Sequence, residues 1–190
     1  MKELKHVTIY TDGACRGNPG PGGYGVVLLY ANHRRELSGG YRRTTNNRME
    51  LMAPIVDLKA LKERCRVTVF SDSEYVVKAM TEGWTHRWRA NGWKRNKTEK
   101  AVNPDLWAQL LLLSEQRAVE FRWVRGHAGD PENERCDHLA AQAAQQTALP
   151  SAADTNLVKP QLSKLSEMIY PVVSVVGGRV NFPAALEQGE

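Results

Sequence analysis

The chain has 190 residues, a mass of 21.3 kDa and a formal net charge of +5, with 42% hydrophobic and 25% charged residues. This composition is typical of a globular protein and excludes a wholly disordered or collagen-like chain. No run approaches the roughly 20 apolar residues that span a bilayer, and the first residues lack the apolar segment of a signal peptide. We therefore expect a cytoplasmic protein with no membrane partner. Its three scattered cysteines fit neither a disulfide framework nor a zinc pattern, so they should be free thiols.

The positive charge is concentrated in the first 150 residues, because residues 151–190 carry three basic and four acidic side chains. A basic body favours a polyanionic partner, although many basic proteins bind no nucleic acid. The composition also changes near residue 150, after an Ala/Gln-rich segment. We expect one domain over residues 1–150 and a C-terminal extension over residues 151–190.

The first part of the chain has the pattern of an antiparallel meander followed by a helix. We predict three strands, at residues 6–12, 24–30 and 36–41. The Gly/Pro-rich segment 13–23 should form a loop after the first strand. Residues 44–47 supply helix N-cap chemistry, so a helix should begin near Asn46 and run to about Leu61. Pro54 lies inside that helix and should kink it, at a cost of about 3 kcal/mol.

After this helix, short apolar runs alternate with amphipathic segments. We predict strands at residues 67–70 and 119–124, and helices at residues 74–81, 84–90, 104–114 and 131–146. Together with the meander, these elements predict an α/β fold with a mixed sheet and helices on both faces.

Four acidic residues stand where a globular fold needs no acid. Asp12 ends the first strand, Glu50 lies in an apolar helix, Asp72 ends the fourth strand and Asp137 lies in the last helix. If the first and fourth strands are parallel neighbours, their ends bring Asp12 and Asp72 together, and Glu50 can reach the same place. Acids gathered in this way repel one another unless cations neutralise them, and an all-oxygen set suits Mg²⁺ or Mn²⁺.

Each acid also has an ordinary structural interpretation. Asp72 could cap the next helix, Glu50 could share a solvated stripe with Asp57, and Asp137 could be an exposed helix acid. A further pattern, at residues 20–25, formally matches G-x-G-x-x-G. A dinucleotide site would require a helix after that motif, whereas a strand is predicted here.

The segments that flank the four acids resemble those of bacterial ribonuclease HI. The matching segments are YTDG at 10–13, GNPGPGGYG at 17–25, TTNNRMEL at 44–51, SDS at 71–73, GHAG at 126–129 and NERCD at 133–137. The likeness covers roughly residues 4–147. It implies the type 1 ribonuclease H fold, with three antiparallel strands followed by two parallel ones, and an endonuclease that cuts the RNA strand of RNA–DNA hybrids. That cleavage leaves 3′-hydroxyl and 5′-phosphate ends.

The resemblance also implies roles for individual residues. The four acids would hold two Mg²⁺ ions, or Mn²⁺ in their place, with Asp12 bridging them. Such a pair of ions can activate water and stabilise the leaving oxygen without a protein nucleophile. His127, on a loop that contains two glycines, would assist proton transfer or product release. Asn133 would lie near the same site.

Residues 84–100 combine three tryptophans with six basic residues and only one acid. A basic, tryptophan-rich projection of this kind resembles the handle with which bacterial ribonuclease HI contacts the DNA strand. Cations at these positions would bind phosphates and give a salt-dependent affinity. The substrate contacts that we select here are Trp84, Arg87, Trp88, Lys94 and Lys97. The spacing of Trp84 and Trp88 is, however, more often that of core residues.

A second group of polar residues is suited to reading the RNA sugar. Asn18, Asn46 and Asn47 can bond to the 2′-hydroxyl, which the wide minor groove displays. Thr45 and Arg48 are candidates for a DNA phosphate. Two alternatives remain open: a module of the same fold that binds hybrids without cutting them, and a related nuclease or transposase that acts on DNA.

The extension has a hairpin pattern around Gly177 and Gly178. Pairing outward from these glycines joins Val176 with Arg179 and continues to Val173 with Phe182. One face of this hairpin would be wholly apolar, so it should dock on the body or on a partner, or else stay disordered. Residues 162–169 could form a short helix. We expect the protein to be a monomer.

Overall fold

The computed structural model describes residues 4–61, 63–146, 149–150, 174–176 and 179–181. Its main sheet has five strands in the spatial order β3-β2-β1-β4-β5. The strands are β1 (His6–Cys15), β2 (Gly20–Tyr30), β3 (His33–Thr44), β4 (Arg66–Ser71) and β5 (Ala118–Trp123). Strand β2 is antiparallel to both β1 and β3, whereas β4 is parallel to both β1 and β5. This is the predicted mixed sheet.

Five helices cover the sheet within the described part of the chain. They are α1 (Asn46–Ala60), α2 (Glu74–Thr81), α3 (Trp84–Ala90), α4 (Pro104–Glu115) and α5 (Pro131–Ala144). Val26 of β2 belongs to the core cluster that includes the α1 side chains, whereas its neighbour Val27 packs with Cys136 and Leu139 of α5. Successive strand residues point to opposite faces, so α1 and α5 lie on opposite sides of the sheet, as predicted.

The prediction of a loop over residues 13–23 was wrong. Strand β1 continues to Cys15 and β2 begins at Gly20, with Cys15 paired to Gly22 and Ala14 paired to Gly23. Most of this Gly/Pro-rich segment is therefore strand, because backbone pairing requires no side chain. The formal G-x-G-x-x-G match lies in β2 and opens no helix, as expected.

Helix α1 begins as the sequence predicts. Thr45 is its N-cap, and the Thr45 hydroxyl accepts a bond from the backbone N–H of Arg48 at 3.4 Å. The helix runs without interruption from Asn46 to Ala60, with Pro54 inside it. The solvated stripe that Glu50 could have shared with Asp57 does not exist, since Asp57 is 0% exposed. No hydrogen-bond partner for either Asp57 carboxylate oxygen occurs among the described residues.

The tryptophans of the handle region contribute to the core. Trp88 is buried, and its ring contacts Trp107 of α4 and Tyr75 of α2 with centroid distances of 5.6 and 6.4 Å. Trp84 packs against Trp88 at 6.1 Å and is partly buried. The core interpretation of their spacing is therefore confirmed. The three cysteines are free, also as expected.

In the extension, β6 (Ser174–Val176) pairs antiparallel with β7 (Arg179–Asn181). The register joins Val176 to Arg179 and Val175 to Val180, as the hairpin pattern predicts. The proposed pair of Val173 with Phe182 and the helix at 162–169 lie outside the described residues. None of the helices described here is long and apolar enough to span a bilayer.

Candidate active site

Two of the predicted acids are brought together by parallel strands. In the β1–β4 pair, Thr11 lies opposite Ser71, so Asp12 and Asp72 follow at the same edge of the sheet. Asp12 is only 8% exposed, and its Oδ1 accepts a bond from the backbone N–H of Gly13 at 2.6 Å. The crossover between the two strands contains α1, as predicted.

Glu50 reaches this edge because α1 packs unusually close to β1. A Cβ at position 13 would lie 2.3 Å from the backbone nitrogen of Glu50, so only glycine permits the approach. The Glu50 carboxylate accepts bonds from Asn46 Nδ2 and from Ser73 Oγ, both at 2.7 Å. Burial raises the pKa of Glu50, while these two donors favour its charged form. The site therefore holds the carboxylate in one orientation.

The loop after β5 passes directly over Asp72. A Cβ at position 126 would lie 2.6 Å from Asp72 Oδ2, so Gly126 leaves the space that the carboxylate occupies. The indole Nε1 of Trp123 donates to the backbone carbonyl of Asp72 at 3.1 Å. These contacts fix the end of β4 beneath the loop.

The fourth acid comes from α5. Asp130 caps this helix by accepting from the backbone N–H groups of Glu132 and Asn133 at 3.0 and 3.1 Å. Asp137 lies near the middle of the helix with its side chain 43% exposed, and His127 Nδ1 is 4.0 Å from its Oδ2. His127 is exposed and adopts a left-handed backbone conformation with φ of 51°.

The other three acids all raise the pKa of Asp12. Burial and the charge of Asp72 raise the pKa of Asp12 to about 8, against the opposing effect of the Gly13 N–H, and Asp137 and Glu50 add to the increase. A divalent cation would relieve this repulsion, and oxygen ligands of this kind match Mg²⁺ or Mn²⁺. Within the described ranges, no three His, Cys, Asp or Glu side chains stand as a group that could already hold a metal ion. The acids therefore share an edge without forming a closed ligand shell.

The predicted sugar-reading residues lie beside this edge. Asn18 Oδ1 accepts from the backbone N–H of Asn46 at 3.3 Å, and Asn46 in turn contacts Glu50. Asn47 is exposed on the first turn of α1. The β1–β2 turn and the start of α1 thus present amide groups next to the carboxylates.

The other predicted substrate contacts differ in exposure and in whether their side chains already have partners. Arg48 is occupied, because its guanidinium bonds to Asp105 at 2.8 and 3.2 Å and to Asn103 Oδ1 at 3.1 Å. Lys94 and Lys97 are exposed beyond α3. Arg87 is also exposed, and it donates to the carbonyl of Glu82 at 2.9 Å. Among the remaining candidates, Asn133 is 2% exposed, with no partner for its Oδ1 among the described residues.

Sequence reasoning missed three contributors to the site. Ser73 was seen only as a neighbour of Asp72, Gly126 only as a source of loop mobility, and Trp123 only as part of a strand. The first was detectable, since a serine directly after Asp72 stands at the same sheet edge. The contacts of Gly126 and Trp123 depend on how the loop after β5 returns to β4, which no local pattern reveals.

The sequence placed Asp12 at the end of the first strand, but β1 continues to Cys15. A five-stranded sheet of this order, with one acid within β1, one directly after β4 and two on flanking helices, defines the ribonuclease H-like class of α/β proteins. The family model described as RNase H matches residues 4–145. The chain belongs to the ribonuclease H family.

Curated relatives agree with this assignment. The chain is 65% identical over 147 residues to a Ribonuclease H of Desulforamulus reducens, which covers 77% of this chain and 92% of the relative. It is 55% identical over 154 residues to Ribonuclease HI of Synechocystis, covering 80% and 95% of the two chains.

Solved structures resemble the chain as well. LC9-RNase H1, described as a type 1 RNase H with the type 2 active-site motif, superposes with a TM-score of 0.69 at 32% identity, covering 98% of this chain and 92% of the other. LC11-RNase H1, solved in complex with an RNA/DNA hybrid, gives a TM-score of 0.57 at 28% identity, covering 73% and 96%.

Proposed function

We infer that this protein is a ribonuclease H, an endonuclease that hydrolyses the RNA strand of RNA–DNA hybrids. One observation carries the inference: Asp12 is buried within β1, three residues before the strand ends, where Asp72, Asp137 and Glu50 all oppose its charge. A fold gains no stability from such a cluster, so the acids are explained best by a cationic cofactor. The hybrid complex of LC11-RNase H1 supports the substrate class.

The ribonuclease H family depends on divalent metal ions, and we propose that the four carboxylates of this chain hold two Mg²⁺ ions, for which Mn²⁺ can substitute. When bound, such ions supply the positive charge that activates water and stabilises the leaving 3′ oxygen. The products would carry 3′-hydroxyl and 5′-phosphate ends. Asn46 and Ser73 orient Glu50 for this task, and the Gly13 N–H orients Asp12.

His127 and Asn133 have supporting roles in this proposal. His127 stands on the exposed loop next to Asp137, so its imidazole can move a proton or assist product departure at that end of the site. Asn133 is one helical turn before Asp137, and its buried Oδ1 faces no partner among the described residues. Asn133 therefore lies near the same site with its side chain buried.

Substrate recognition is assigned to two surfaces. Asn18, Asn46 and Asn47 read the 2′-hydroxyl beside the carboxylates, while Thr45 and Arg48 bind a phosphate of the DNA strand. Because Arg48 is paired with Asp105, phosphate binding must exchange that partner. Lys94 and Lys97, with Arg87 and the tryptophan-supported helix α3, contact the DNA backbone. We further propose that residues 1–150 form the catalytic domain of a cytoplasmic monomer, to which the extension is accessory.

The test uses a hybrid labelled on each strand in turn, incubated with Mg²⁺ and the full chain or its Asp12→Asn variant. Cleavage of the RNA strand alone, lost in Asp12→Asn, is the expected result. Binding without cleavage by the unmutated protein would favour the non-catalytic module, and cleavage of the DNA strand would favour a DNA nuclease. Either outcome overturns the proposal.

A further inference from the structure

Four charged side chains connect β3 to the first half of α5 in alternating sign. Arg34 Nη2 donates to Glu132 Oε2 at 2.7 Å, and Arg34 Nη1 donates to Glu36. Glu36 in turn accepts two parallel bonds from Arg135, at 3.0 Å from Nε and 2.8 Å from Nη2. We call this connected series, Glu132–Arg34–Glu36–Arg135, the β3–α5 ladder.

The ladder combines the periods of a strand and a helix. Arg34 and Glu36 are two residues apart, so they share one face of β3, and Glu132 and Arg135 are three apart, so they share one face of α5. The bidentate bond between Arg135 and Glu36 adds a fixed relative orientation to the attraction. Both arginines hold the pKa of Glu36 down at about 2, so Glu36 remains charged throughout the neutral range.

The helix that the ladder holds also carries Asp137. Downstream of the ladder, α5 is anchored by Cys136 and Leu139, which pack against Val27 of β2. Asp137 lies two residues after Arg135, and its carboxylate is 43% exposed. The place of this carboxylate, which is close enough to raise the pKa of Asp12, therefore depends on how the helix is placed more than on packing around its own side chain.

We propose that Arg34 and Glu36 are positioning residues for Asp137: the ladder sets the tilt of the first half of α5 and so the place of the Asp137 carboxylate relative to Asp12. This inference rests on the proposed function, in which Asp137 contributes to a divalent-cation site. The four side chains of the β3–α5 ladder are 24 to 40% exposed, and exposed ion pairs contribute little to the stability of a fold. Mg²⁺, by contrast, requires nearly ideal ligand geometry, so a small tilt matters at the site.

The experiment compares Glu36→Gln with Glu120→Gln. Glu120 is a matched control because it forms a similar close pair with Arg122, 2.8 Å from Nε to Oε1, within β5 and away from α5. Binding of Mn²⁺ to the free protein is measured by calorimetry, and the Mg²⁺ concentration for half-maximal hybrid cleavage is measured separately. We expect Glu36→Gln to weaken Mn²⁺ binding about three- to tenfold, with cleavage restored at high Mg²⁺ and the hybrid KM within about twofold. Glu120→Gln should change none of these quantities.

A double-mutant cycle with Arg135→Gln adds a second readout. Because both substitutions remove the same contact, the double variant should bind Mn²⁺ no more weakly than Glu36→Gln alone. Unchanged Mn²⁺ affinity in a folded Glu36→Gln variant would overturn the inference, as would independent, additive losses in the cycle.

Asp137→Asn, measured in the same way, separates the two proposals. If Asp137→Asn leaves Mn²⁺ binding intact, the proposed metal role of Asp137 is wrong. If Asp137→Asn weakens binding and Glu36→Gln does not, only the positioning inference fails.

Discussion

Helix α1 carries two acids seven residues apart whose surroundings differ completely. Glu50 is half-buried at the edge of the sheet that carries Asp12 and Asp72, and it accepts hydrogen bonds from Asn46 and Ser73. Asp57 is fully buried, and neither of its oxygens has a hydrogen-bond partner in the described residues. Burial raises the pKa of Asp57 to about 7, and the nearby charges of Arg35 and Arg117 lower it only in part.

The comparison separates a buried acid that receives hydrogen bonds from one that receives none. At Glu50 the surrounding donors stabilise a charged, oriented carboxylate, as expected where the charge is used. At Asp57 the surroundings offer charge but no direct bond, so the buried carboxylate opposes folding whenever it is ionised. Two acids on one helix can thus differ: the first is held charged and oriented, whereas the second opposes folding when it is ionised.

Asp12→Asn should reduce hybrid cleavage about a hundredfold or more, because it removes the acid that the other three surround. The same substitution should raise the melting temperature at pH 8. The pKa of Asp12 is raised on folding, so its ionisation costs stability as the pH rises toward 8. Asp57→Asn is the matched comparison, and its cleavage rate should stay within about twofold. Equal losses of activity in the two variants would refute the division between the two kinds of acid.

Asp57→Asn should stabilise the protein increasingly as the pH rises. The pKa of Asp57 in the folded protein, about 7, exceeds its ordinary value of 3.8. Its contribution to wild-type stability is therefore fully present below about pH 4 and is lost as the pH rises through 7. One pKa unit corresponds to about 1.4 kcal/mol, so the difference between the two pKa values limits the change in the free energy of unfolding to about 4 kcal/mol. Denaturant unfolding at pH 5 and pH 8 should show the variant gaining at least about 1 kcal/mol on wild type over this interval. A difference independent of pH would mean that Asp57 does not titrate in this range.

Gly126→Ala should lower cleavage about tenfold with little loss of stability, because its Cβ would meet Asp72 Oδ2 at 2.6 Å. The carboxylate must move, whereas the backbone at this position suits any residue. Ala128→Ser, which adds one atom to the same exposed loop, serves as the control and should retain activity. Hybrid cleavage at saturating Mg²⁺ measures both, and wild-type activity in Gly126→Ala would show that the Asp72 carboxylate is free to shift.

Pro54→Ala should raise stability by about 1 kcal/mol. Proline inside a helix costs about 3 kcal/mol, and the lost burial of two methylene groups offsets about 1.6 kcal/mol of the gain. Pro54 lies between Glu50 and Asp57, and its missing N–H leaves the carbonyl of Glu50 without its helical bond. Thermal unfolding is the measurement. An unchanged or lower melting temperature would indicate that α1 has already adapted to the proline.

Much of the fold followed from local patterns. Helix α2 was predicted with its observed bounds, but its cap was not: the N-cap is Ser73, whose hydroxyl accepts from the Val76 N–H at 3.4 Å, and not Asp72 as the sequence had suggested. The hairpin register in the extension followed from the two glycines at its centre. Segment 13–23 was misjudged because glycine and proline signal turns, while strand pairing across Gly22 and Gly23 is decided by the opposite strand.

The family was indicated by the sequence alone, and the four candidate acids were selected there, because the segments that flank them are characteristic even where each acid by itself is not. Only the tertiary structure decided what surrounds them. That Ser73 bonds to Glu50, that Gly126 leaves space for Asp72 and that Asp57 is buried among distant arginines depends on contacts between elements far apart in the chain. Periodicity shows which face of an element is buried, but the partner across that face is chosen by the packing of the whole sheet and its helices.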